Sequence, residues 1–66
     1  MSKENKIFEI EVWFRYVSNG EQEKDYYFHA IDAVNVQEAV VKAKELYKSK
    51  TVIPFKFYHN KIQINT

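Results

Sequence analysis

Sixty-six residues suffice for one domain with one core, because a chain this short buries only about 60% of the surface that its unfolded form exposes. The absence of cysteine excludes disulfide staples, thiolate metal sites and thiol nucleophiles, while 45% hydrophobic residues, 29% charged residues and a single glycine exclude a disordered or collagen-like chain. Net charge is only +1, yet it is unevenly placed: residues 1–41 carry four bases against eight acids, net −4, and residues 42–66 carry six lysines against Glu45, net +5.

The opening residues, Met1-Ser2-Lys3-Glu4-Asn5-Lys6, are polar and mixed in charge, without an apolar stretch long enough for a signal peptide or a membrane span. The expectation is a cytoplasmic protein without membrane contact, a single domain over 1–66 with residues 1–5 as a flexible tail. From Lys6 to Val17 the pattern alternates with period two, placing Phe8, Ile10, Val12, Phe14 and Tyr16 on one side and Glu9, Glu11, Trp13 and Arg15 on the other. This is the signature of a half-buried strand. Ser18-Asn19-Gly20-Glu21 follows, and Asn-Gly adopts the positive φ angles of a two-residue type I′ hairpin loop.

A second strand is expected over about Lys24 to Ala33. Hydrophobicity does not choose its face, since Tyr26, Phe28 and Ala30 compete with Tyr27, His29, Ile31 and Ala33. The loop chooses it. With Asn19 and Gly20 as the loop, Val12 meets Tyr27, Ile10 meets His29 and Phe8 meets Ile31 on the inner side, and Trp13 meets Tyr26 on the outer side with Phe28 next along.

Asn35 is a helix cap, with Glu38 reaching back in an Asn-x-x-Glu box. Val36, Ala39, Val40, Ala43, Leu46 and Tyr47 recur at helical spacing and form one apolar stripe that covers a sheet face. Glu38 and Lys42 stand four apart in the favourable order, and lysines gather at the C-terminal end, where the helix dipole favours cations. From Val52 to Asn65 two further strands are expected, with His59-Asn60 as their turn, Phe57 opposite Ile62 and Phe55 opposite Ile64. Ile53, Phe55 and Phe57 then share the apolar face. Pro54, which has no amide, belongs at the strand start or where no ladder bond is needed.

The predicted fold class is therefore α+β, in the order β-β-α-β-β. A single helix packs on one face of a four-stranded, mainly antiparallel sheet of order 2-1-3-4.

Catalytic chemistry has little to work with. The serines Ser2, Ser18 and Ser49 are expected in the tail, a turn and the helix end, and one glycine excludes a glycine-rich phosphate cradle. His29 and His59 are predicted far apart, His29 beneath the helix as a core histidine and His59 at a turn, so no metal or cofactor is expected. Glu9 and Glu11 share one strand face at the spacing of paired carboxylates; nothing local in the sequence supplies a groove, and a solvated face is the simpler reading. An enzyme is not expected.

The outer sheet face is the best functional clue, because 11 aromatic residues exceed what one helix on one sheet face can cover. Trp13, Tyr26 and Phe28, rimmed by Glu11, Arg15 and Tyr58, form the candidate interface of a non-catalytic module that self-associates, as a homodimer, or binds a protein partner. The simpler explanation of Trp13 and Tyr26 is an aromatic pair that stabilises an exposed ladder. The alternative function is single-stranded RNA binding, with bases stacked on the same aromatics and phosphates met by Arg15, Lys56 and Lys61. Glu9 and Glu11 on that face oppose it.

The run from Phe8 to Phe14, the segment Ile31-Asp32-Ala33-Val34-Asn35 leading into Glu38-Ala39, and the closing Ile62-Gln63-Ile64 resemble the small archaeal ribosomal protein LX family, over most of the chain. The resemblance implies a compact domain with a hairpin, a helix and closing strands. That family's basic segment before the final strands is represented here by residues 48–56, which are less basic and lack its glycine, so its rRNA function is not carried over.

Overall fold

The computed structural model describes residues 4–65, so residues 1–3 of the expected tail and Thr66 lie outside the described residues. The elements are β1 (Lys6–Ser18), β2 (Glu21–Ala33), α1 (Val36–Glu45), β3 (Ile53–His59) and β4 (Ile62–Gln63). They form one sheet of order β2-β1-β3-β4 with antiparallel neighbours and a single helix, an α+β fold in the predicted order.

The first hairpin keeps its predicted register from end to end. Asn19 and Gly20 take φ angles of 53° and 79°, and pairing runs without a bulge from Ser18 opposite Glu21 to Lys6 opposite Ala33. β2 therefore starts at Glu21 rather than near Lys24, since a two-residue loop leaves no residue unpaired. Residues flanking such a loop exchange hydrogen bonds, and the pairs then alternate, which makes Trp13 and Tyr26 a non-hydrogen-bonded pair with closely approaching side chains. The Tyr26 amide, directed away from β1, donates instead to Asp25 Oδ1 at 2.8 Å.

The core lies between α1 and the inner face: Ile10 and Val12 are fully buried, joined by Ile31, Ala33, Ala39, Val40, Ala43 and Phe57. The cap forms as predicted, with Asn35 Oδ1 accepting from the Glu38 amide at 2.8 Å. Glu38 Oε1 reaches back one residue further than a standard box, accepting from the Val34 amide at 3.0 Å. Leu46 does not belong to the stripe. It is the C-cap and is 58% exposed, while Tyr47 takes the sheet surface at that end, with ring centroids 5.5 Å from both Phe14 and His29.

Two expectations about the last strands change. Trp13 pairs with Lys56 but Phe14 pairs with Pro54, so Phe55 is the extra residue of a β-bulge. The bulge falls where Pro54 has no amide to give the ladder, and it turns Ile53 to the outer face opposite Arg15. The closing loop is Asn60-Lys61, with φ angles of 51° and 64°, rather than His59-Asn60. His59 stays extended opposite Ile62 and packs edge-on against Phe8 at 5.5 Å, and the Ile64 amide donates to the Phe57 carbonyl at 2.8 Å. Moving the loop by one residue changes each partner by two, so Phe57 meets Ile64 instead of Ile62 and the faces are preserved.

Sharing the inner face does not ensure burial. The 13-residue strands run about 43 Å, whereas the ten-residue α1 spans about 15 Å, and the molecule is drawn out to 52 Å by 22 Å by 18 Å. Tyr27, on the inner side beyond the helix, is 59% exposed.

Candidate interaction face

The outer face carries rows set by the two registers. Phe28 (β2), Glu11 (β1) and Tyr58 (β3) form one row, and Tyr26, Trp13 and Lys56 form the next. Within them Trp13 and Tyr26 stack with centroids 4.7 Å apart at 25°, and Tyr26 meets Phe28 edge-to-face at 5.8 Å and 88°. Trp13 Nε1 donates to Glu11 Oε2 at 2.6 Å, which fixes the indole against the sheet and satisfies its one polar atom. Five of the six predicted interface residues, Glu11, Trp13, Tyr26, Phe28 and Tyr58, are thus adjacent.

Arg15, the sixth, lies one row beyond Trp13, opposite Lys24 on one side and Ile53 on the other. Of the three residues expected to meet phosphate, Lys56 sits beside Trp13 and near Arg15. Lys61 does not join them. It lines a hollow of about 280 Å³ at the other end of the face, with Glu9, Glu11, Phe28, Tyr58 and Asn60. The sequence suggested no groove beside Glu9 and Glu11; the turn between β3 and β4 builds one wall of this hollow.

Several members of the face escaped the sequence reading. Lys24 was within reach of it, since the loop-derived register already sets it opposite Arg15. Ile7 and Val17 occupy outer positions of β1 and are exposed, as is Ile53. Ile53 carried no signal, because only the bulge puts it outside.

On the inner side, His29 Nε2 and Tyr47 Oη are hydrogen-bonded at 2.5 Å beneath the helix end. Burial raises the Tyr47 pKa above its ordinary 10.0, and nearby Tyr27 adds to the effect. His59 is engaged with Phe8, and no group of three metal-ligating side chains occurs among the described residues. Two lysines, one on the helix and one just beyond it, serve local structure. Lys42 Nζ lies 3.6 Å from Glu38 and donates to the Asp32 carbonyl at 2.6 Å, and Lys48 lies 3.4 Å from Glu45. No described helix is long and apolar enough to cross a membrane.

Such a face can do two things. Its aromatic centre can exclude water against an apolar surface or against bases, and its charges can select what approaches. No protein-family model matches the chain, and no curated protein or solved structure shows detectable similarity to it. The likeness to the ribosomal LX family accordingly rests on core spacing and a helix cap, with no match behind it.

Proposed function

We propose that the chain is a non-catalytic, cytoplasmic interaction module that binds protein, a second copy or another chain, through the outer face of its sheet. The observation that carries this reading is the contiguous, helix-free surface of Trp13, Tyr26 and Phe28, with Trp13 locked by Glu11. Rigid aromatics of this kind lose little side-chain entropy on binding and remove much apolar area from water. The test is the dissociation constant of the complex, followed by light scattering so that wild type and variant are read by the same signal. Trp13→Ala weakens it by about 2 kcal/mol or more, roughly 30-fold. An unchanged constant in a folded Trp13→Ala variant removes the reading.

A second reading, single-stranded RNA, is favoured by one arrangement: Lys56 beside Trp13, with Arg15 and Lys24 in the next row, sets three cations around the aromatic cluster. Binding of this kind weakens steeply with salt and is lost in Lys56→Glu, whereas an apolar protein interface persists at high salt.

A further inference from the structure

We infer that the occupant of the outer face is a second copy of this chain, packed sheet on sheet with its strands antiparallel about a two-fold axis. This rests on the proposed interaction face and specifies its partner. The charges on that face are sorted along the strands. At the loop end, Lys24, Arg15 and Lys56 sit in adjoining rows and form no ion pair among the described residues. At the other end, Glu9, Glu11 and Asp32 occupy outer positions, with Lys61 beside the two glutamates. The loop-side half is therefore +3 and the other half −2, with Lys56 and Glu11 standing within the two aromatic rows and Arg15, Lys24, Glu9 and Asp32 beyond them.

A surface sorted in this way is complementary to itself in only one sense. A two-fold axis running across the strands, between the sheets, lays β1 over its copy in reverse and brings each basic end over an acidic one. An axis along the strands would stack +3 on +3. Antiparallel superposition also keeps the mean strand directions aligned, which is one of the two ways in which sheets pack face to face. A polyanion would meet Glu9, Glu11 and Asp32 on the same surface, so the whole face fits a second copy better than it fits RNA. Arg15 and Lys24 face each other across the hairpin, a like-charge pair that costs stability within one chain and is neutralised by the copy's acids.

The size is adequate. Strands of 13 residues and a width of two to three strands make roughly 400 to 600 Å² in plan, and side-chain relief raises the accessible area toward the ~800 Å² per partner of a stable interface. The apolar surface extends beyond the aromatic centre, with exposed Ile7 at one end and exposed Val17 and Ile53 at the other.

The experiment is light scattering at low salt on the wild-type chain and on two charge-reversed variants, Arg15→Glu/Lys24→Glu and Glu9→Lys/Asp32→Lys. The first retains a like-charge pair across the hairpin, so its internal electrostatics change little. The wild type is expected to be a dimer, each variant alone to dissociate at least tenfold more readily, and the equimolar mixture to regain wild-type affinity as a heterodimer. Recovery in the mixture also demonstrates that both variants fold. Should a double variant unfold, Arg15→Glu and Glu9→Lys carry the same comparison. Variants that dimerise as tightly as the wild type, or a mixture no tighter than its components, overturn the antiparallel arrangement. A wild-type monomer at millimolar concentration overturns self-association and leaves the face to its own test with Trp13→Ala.

Discussion

Replacing Phe28 by alanine separates the folding role of the aromatic face from its binding role. Phe28 is 57% exposed, so of the ~200 Å² that a phenylalanine offers, about 115 Å² remains for a partner to cover, roughly 3 kcal/mol at ~25 cal/mol per Å². Alanine keeps part of this, leaving an expected loss of about 2 kcal/mol per site. A partner seated once on the face then binds about 30-fold more weakly. A two-fold dimer loses both sites, about 4 kcal/mol, and dissociates about 1,000-fold more readily. Within the monomer, Phe28 contributes chiefly its edge-to-face contact with Tyr26, worth about 1 kcal/mol. Urea unfolding of the monomer and the dissociation constant of the complex are measured on the same variant. A Phe28→Ala chain that loses more than about 3 kcal/mol of monomer stability with an unchanged constant would show that the aromatics serve the ladder, and the interaction reading would fail.

Tyr47→Phe removes the hydrogen bond to His29 and is expected to cost about 1 kcal/mol, read by urea unfolding near neutral pH. The same substitution tests the alkaline limb. Because the folded-state pKa of Tyr47 is raised, the unfolded chain gives up that proton first, so this contribution is intact below pH 10.0 and is lost as pH rises through the folded value. The wild type should lose stability over that range more steeply than Tyr47→Phe, and identical slopes would refute the assignment. Lys61→Gly is expected to stabilise the monomer by about 0.5 kcal/mol, since Lys61 holds a φ of 64° that glycine adopts without a Cβ penalty; an unchanged or lower urea midpoint would contradict the turn geometry.

Loop chemistry made the first hairpin legible and hydrophobicity did not. Asn19-Gly20 determines a pairing in which every partner follows, and it placed Trp13 on Tyr26 although Tyr26 and Tyr27 are equally apolar. Asn35 and Glu38 announced the helix start in the same way, through side-chain atoms that bond the free amides. The closing hairpin was legible only in its faces. Neither His59-Asn60 nor Asn60-Lys61 contains a glycine, so the loop was undetermined by one residue, and period-two alternation is blind to such a shift. Pro54 marked a place where a ladder bond is missing, but period-two alternation carries no sign of the extra residue, so the bulge at Phe55 was not legible.

The mismatch between strand and helix explains why this fold leaves so much apolar surface uncovered. α1 reaches along about a third of the hairpin, and beyond Tyr47 the inner side closes on its own aromatics, with Glu23 and Asp25 next to solvent in the register positions opposite Tyr16 and Phe14. The arm therefore has an acidic inner side and, through Lys24 and Arg15, a basic outer side. Since no element among the described residues crosses to the outer face, Trp13, Tyr26 and Phe28 are left for another molecule to withdraw further from water. A longer helix would not change this, because it would extend the cover on the inner side alone. The property that makes the outer face available is thus topological: among the described residues, both hairpins and their single crossover put the helix on one side of the sheet and leave the other without a covering element.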